Sequence, residues 1–177
     1  MAVPANLDPP VDPTRDHVRG ADGARVSLVE YGDFECPYCG AAYAVLKQLE
    51  RRLGGRLRLV FRHFPLTHVH PHAPAAAEAA EAAGEQGRFW EMHDRLFEHQ
   101  RQLEHADLLR YGQEIGLDAE RFAAALERRS GRERVEADVA SGVRSGVEGT
   151  PALYTDGVRY DGFYDVESLE EAVEGRR

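Results

Sequence analysis

Two sulfurs carry the most chemistry in this chain. Cys36 and Cys39 are its only cysteines, and they stand two residues apart in "VEYGDFECPYCGAAYAVLKQLE". Three uses compete for such a pair: a metal, redox exchange, or inert burial. Their context separates these. The motif falls where an alternating, strand-like pattern gives way to a helical one, and Pro37 suits the first turn of a helix because its missing N–H costs nothing there. A helix start offers unpaired backbone N–H groups and the positive end of the helix dipole. A thiolate held there drops from a free pKa of roughly 8.5 into a range of about 3.5–7.5. Cys36, at the cap, is therefore expected to be an exposed nucleophile. Cys39, one turn deeper, is expected to be shielded and to resolve a mixed disulfide. Inert thiols fit this placement poorly.

A zinc site needs more ligands. Structural zinc takes four, and the cysteines supply two. The segment "HFPLTHVHPH" offers His63, His68, His70 and His72, but there is no second C-x-x-C and no finger-like spacer. The expectation is no metal and no cofactor.

The elements that must hold the cysteines follow from periodicity. Val26 to Tyr31 alternates, with Val26, Leu28 and Glu30 on one face and Ser27, Val29 and Tyr31 on the other. Ala42, Val45, Leu46, Leu49 and Leu53 recur at helical spacing, and Gly54-Gly55 ends that run. Leu57 to His63 reads as a second strand. "HAPAAAEAAEAAGEQ" is helical by propensity, and "RFWEMHDRLFEHQ" places Phe89, His93, Leu96 and Phe97 on one face as packing. Further helices are predicted over Ala106–Ile115 and Ala119–Arg128. Ser130 with Glu133 reads as a capping box ahead of Val135, Val139 and Val143. Asp156-Gly157 between two apolar runs is a tight hairpin signal, and Asp165 reads as the N-cap of a last helix through Val166, Leu169 and Val173.

The order is strand, helix, strand, helical block, hairpin, helix. Without the block, a βαβ unit followed by ββα remains: an α/β thioredoxin fold with an all-helical insertion. The boundaries expected are an extended, proline-rich arm over 1–24 with an edge strand near His17 to Arg19, a thioredoxin-like domain over 25–65 and 148–177, and the insertion over 66–147.

Composition limits the partners. Of 177 residues, 42% are hydrophobic and 30% charged, and the net charge of −9 argues against nucleic acid. No run approaches the ~18 apolar residues of a membrane span. The first twenty residues lack the basic and apolar regions of a secretory signal, so a cytoplasmic location and no membrane partner are expected.

Taken together, "DFECPYC" after a strand, "FRHFPL", "HPHA", "FWEMHDRLF" and "GTPALY" resemble the DsbA-like branch of the thioredoxin superfamily, over roughly Val26 to Val173. The resemblance implies thiol–disulfide exchange on protein or peptide substrates, with a small-thiol or thioredoxin-type electron partner. It implies a cis bond before Pro151, with Thr150 and Pro151 docking substrate opposite Pro37 and Tyr38. It also implies that Glu30, placed by alternation on the Val26 face, handles the proton of Cys39. Asp33 and Glu35 are expected to face solvent and make the disulfide less oxidising. In a reducing compartment the net job would be reduction or isomerisation. The alternative of another class is a thioredoxin-fold peptide holdase with redox chemistry secondary.

Overall fold

The computed structural model describes residues 6–175, so the first five residues of the expected arm and the last two of the thioredoxin-like domain lie outside the described residues. Five strands form one sheet in the order β1-β3-β2-β4-β5. They are β1 (His17–Gly20), β2 (Val26–Gly32), β3 (Leu57–His63), β4 (Ala152–Thr155) and β5 (Val158–Tyr160). β2 runs parallel to β3, with Leu28 opposite Leu59, while β1, β4 and β5 pair antiparallel to their neighbours. The hairpin between β4 and β5 turns on Asp156 (φ 48°) and Gly157 (φ 81°), the left-handed pair a two-residue turn requires.

Among the described residues seven α-helices accompany the sheet: α1 (Pro37–Leu53), α2 (Ala73–Gly84), α3 (Phe89–Glu98), α4 (His105–Glu114), α5 (Ala119–Glu127), α6 (Arg132–Arg144) and α7 (Val166–Glu174). α1 and α7 cover one face of the sheet, burying Val26, Leu28, Leu46, Leu49, Leu53, Leu153, Leu169 and Val173 together. Helices α2 to α5 enclose a second core around Phe34, Phe61, Phe89, Met92, Leu96 and Phe97. α6 lies over the other face, against Val29, Tyr31, Val60, Phe64 and Tyr154. It lies close: a Cβ on Gly142 would meet the Phe64 ring at 2.6 Å. Asp165 caps α7 by accepting from the Ser168 N–H at 2.8 Å.

β2 is buried along its whole length, because helices cover both faces, and its alternation separates two cores. Two sequence expectations are corrected here. The Ser130–Glu133 capping box does not form. Arg129 takes a left-handed φ of 54°, the Ser130 N–H closes α5 by donating to Ala125 O, and the N-cap of α6 is Gly131. The valine stripe of α6 holds only in part: Val135 is buried and Val139 packs against the core on that face, whereas Val143 is 64% exposed and the other buried positions are Asp138, Ser141 and Gly142. That face also meets polar partners on the sheet, which hydrophobic periodicity does not report.

Candidate active site

The site is built where β2 ends and α1 begins. Cys36 is the N-cap of α1 with extended backbone (φ −70°, ψ 120°), and Pro37 is the first helical residue. Both cysteines are free thiols. Cys39 is fully buried and, contrary to the expectation of an exposed thiol, Cys36 is only 2% exposed. The cover comes from the loop before β4. The Thr150–Pro151 bond is cis, as the resemblance implied, and in its protonated form the Cys36 thiol donates to Thr150 O at 3.5 Å. The Thr150 hydroxyl is buried without a hydrogen-bond partner. Tyr38 is 74% exposed beside this pair.

The two thiols are driven apart electrostatically. Hydrogen bonds from the Cys39 thiol first, and then from the backbone N–H groups of Cys39 and Tyr38, outweigh burial and bring Cys36 down to about 5. Cys39 moves the opposite way: burial, the hydrogen bond to Cys36 and the charge of Glu30 push its thiol far above the ordinary range. Glu30 is 5% exposed, and its Oε1 has no hydrogen-bond partner. Burial, reinforced by the Cys36 charge and opposed by Arg19, raises its carboxyl to about 8. It lines a cavity of about 10 Å³ with Arg19, Tyr43, Leu46, Trp90 and His93. That is at the lower limit of the space one water needs.

Asp33 and Glu35 do not face solvent. Asp33 is buried, and its Oδ1 accepts from the backbone N–H groups of Glu35 (2.8 Å) and Cys36 (3.2 Å). Its Oδ2 accepts from Leu66 N–H and from His70 Nδ1, both at 2.8 Å. Glu35 accepts from the N–H groups of His72 (2.7 Å) and Ala73 (3.0 Å) and so caps α2. Both carboxylates tie down the cysteine loop and the start of the helical block. Unmet backbone donors at helix starts attract carboxylates, which a reading of charge alone overlooks. The His72 ring also bonds Glu35, which raises its pKa.

One positioning residue carried no signal in the sequence. Gln100, beyond the end of α3, donates from Nε2 to Phe34 O (2.9 Å) and to Cys36 O (2.8 Å). It fixes the cysteine loop from 64 residues away. The four histidines of "HFPLTHVHPH" do not converge: His70 and His72 go to Asp33 and Glu35, while His63 turns to His17 and Glu81.

A low-pKa thiol on a helix cap, a shielded thiol one turn deeper and a protonated carboxyl beneath them are the equipment of a thiol–disulfide oxidoreductase. The chain belongs to the thioredoxin family, which it matches over residues 13–175, and its fold is that of the DsbA-like members. A thioredoxin-like oxidoreductase from Silicibacter pomeroyi superposes with a TM-score of 0.81 at 29% identity, covering 93% of this chain and 92% of that one. BdbD from Bacillus subtilis superposes with a TM-score of 0.84 at 22% identity, over 98% and 97%. Curated relatives by sequence carry another name. The Na⁺/H⁺ antiporter NhaA 1 of Salinispora arenicola is 52% identical over 164 residues, which is 93% of this chain and 25% of the relative. The antiporter NhaA of Herminiimonas arsenicoxydans is 46% identical over 175 residues, 99% of this chain and 28% of the relative. The chain thus spans about a quarter of the length of these relatives. Among the described residues no helix is long and apolar enough to cross a membrane.

Proposed function

We propose that the chain exchanges dithiols for disulfides on protein or peptide substrates, with Cys36 attacking and Cys39 resolving. The observation that carries this reading is the opposite displacement of the two thiols, Cys36 down to about 5 and Cys39 upward. At neutral pH Cys36 is a thiolate. It attacks one sulfur of a substrate disulfide, forming the mixed disulfide and releasing the other substrate sulfur, which takes up a proton. Cys39 then gives its proton to Glu30 and attacks Cys36 Sγ, releasing the second substrate thiolate. The substrate disulfide is reduced by two electrons and Cys36–Cys39 is oxidised to a disulfide. A small thiol or a thioredoxin-type dithiol restores the pair, and the reverse sequence oxidises a substrate.

Glu30 suits the proton step because formation of the mixed disulfide removes the Cys36 charge that helps raise its pKa. The carboxyl then ionises more readily and can take up the Cys39 proton as a carboxylate. Thr150, Pro151, Pro37 and Tyr38 frame the substrate chain. A holdase would need no split between the thiols, so the exchange reading is preferred. A cytoplasmic setting is proposed from the sparing use of cysteine; cell fractionation tests it. The antiport named for the longer relatives is not assigned to this region.

Multiple-turnover reduction of a peptide disulfide tests the reading. Cys36→Ser abolishes it, and Cys39→Ala stalls as a mixed disulfide seen on a non-reducing gel. Turnover retained in Cys36→Ser would overturn the assignment.

A further inference from the structure

We propose that His17, His63 and Glu81 form a divalent-metal site, a two-histidine, one-carboxylate set that takes Zn²⁺ with water completing the coordination. It is separate from the thiols and owes nothing to the exchange chemistry.

The sheet register makes the site. His17 on β1 stands opposite Phe61 on β3, and His63 lies two residues further along β3 on the same face. α2 lies over that face and presents Glu81. The three ligand atoms fall within 4.8 Å of one another. Both imidazoles use Nε2, and both converge on the same oxygen, Glu81 Oε1, at 2.7 Å each. Three secondary-structure elements supply one ligand apiece, so the positions do not depend on a loop.

The surroundings fit a cation. His17 stacks flat on Phe89 with ring centroids 3.5 Å apart, and Phe34, Phe61 and Phe89 pack edge-on around His63. These rings hold the imidazoles in place and keep bulk water from the inner side. His63 Nδ1 is buried without a hydrogen-bond partner, so whatever meets Nε2 decides the tautomer. With both imidazoles neutral, as metal ligation requires, the set carries a net negative charge that a divalent ion neutralises. Imidazole with carboxylate is also a ligand set that zinc accepts, and three protein ligands with an open position match its open coordination. His17 and Glu81 keep some solvent exposure, which gives the ion an entry. Bound there, it would clamp the N-terminal edge strand to the sheet and to α2.

The test removes the competing thiols first. The double variant Cys36→Ser/Cys39→Ser is titrated with Co²⁺ and then Zn²⁺. We expect one equivalent bound, visible d–d bands without a thiolate charge-transfer band, and a rise in Tm with Zn²⁺. His17→Gln and Glu81→Gln in that background should each weaken binding at least about tenfold, the lower bound seen even for outer partners of metal ligands. His72→Gln, at a half-buried histidine outside the cluster, should leave binding unchanged. Circular dichroism without metal establishes that the variants fold; should Glu81→Gln fail, His17→Gln at the edge strand decides. Binding that vanishes with the thiols, is lost in His72→Gln, or survives intact in His17→Gln would overturn the proposal.

Discussion

Glu30 and Tyr31 are consecutive on β2, and alternation sends their side chains to opposite faces of the same sheet. On the Tyr31 face the buried charges Asp16, Arg62 and Asp138 are paired. Arg62 is fully buried and forms two hydrogen bonds to Asp16, from Nε and Nη2, at 2.9 Å each. It also donates to the Tyr31 hydroxyl and to the carbonyls of Pro9 and Pro10. Asp138 on α6 accepts from His63 N–H and from Arg15 and Arg134. Burial would raise the carboxyl of Asp16, but the Arg62 guanidinium outweighs it and holds the group below its ordinary value. On the Glu30 face the carboxyl is equally buried and has no such partner, so burial wins and the group rises to about 8. Burial perturbs both carboxyls; pairing decides the sign. A paired charge ties elements together, whereas an unpaired one is left able to exchange a proton near neutral pH. The unpaired one faces the cysteines.

If the two faces divide in this way, variants on each should fail differently. Cys36→Ser should have the largest effect, complete loss of exchange with folding intact, measured by peptide-disulfide turnover. Next comes Arg62→Met, which takes from the buried Asp16 the guanidinium that bonds it twice and leaves Arg15 and Arg134 at 3.7 Å. It should cost about 3–5 kcal/mol of stability in urea unfolding. The Cys36 thiolate, followed by its ultraviolet absorbance, should still titrate near its native midpoint of about 5. A shifted midpoint would show that the faces are coupled.

Glu30→Gln should do the reverse. Release of the mixed disulfide should slow about a hundredfold, the low end for a proton-transfer group, while the first attack by Cys36 proceeds. Equal slowing of both steps, or of neither, would remove Glu30 from the proton path.

The pH dependence of stability sharpens the contrast. Glu30 rises from 4.5 when unfolded to about 8 when folded, so between those values the native state holds the extra proton. Its contribution is full below about 4.5 and is lost as pH rises to 8. Cys36 falls from 9.0 to about 5, so the native state holds fewer protons across that range and stability grows with pH. The two slopes oppose each other between about 5 and 8 and nearly cancel in the parent. Glu30→Gln should leave a curve that climbs with pH. Cys36→Ser should leave one that falls, ending below 8 because the Cys36 charge no longer helps raise Glu30. Urea midpoints across pH would show this, and parallel curves for both variants would refute the opposition. The smallest effect belongs to Tyr31→Phe, which removes one hydroxyl from the Arg62 network and should cost about 1–3 kcal/mol.

Much of this was legible in the chain and some was not, for reasons visible in particular residues. Strand β3, the hairpin at Asp156-Gly157, the cap at Asp165 and the helix start at Cys36 were readable because each depends on neighbours within a few positions: turn chemistry, a missing proline N–H, side-chain period. The same locality pointed to two unlike thiols, one at the cap and one a turn deeper. What failed depends on partners far along the chain. Asp33 and Glu35 look like surface acids until Leu66, His70 and Ala73 arrive to donate to them. Gln100 has no local signature at all. The inner face of α6 carries Asp138 and Ser141 beside Val135 because the His63 N–H and the Tyr31 hydroxyl lie opposite, which no period within α6 can report. Cys36 is covered by Thr150, more than a hundred residues away. His17 meets His63 and Glu81 only through the register of β1 on β3. Local propensity and spacing determined the elements and the reactive pair. The tertiary structure alone decided which buried charges found partners, because pairing is set by packing between elements and is written in no single stretch of sequence.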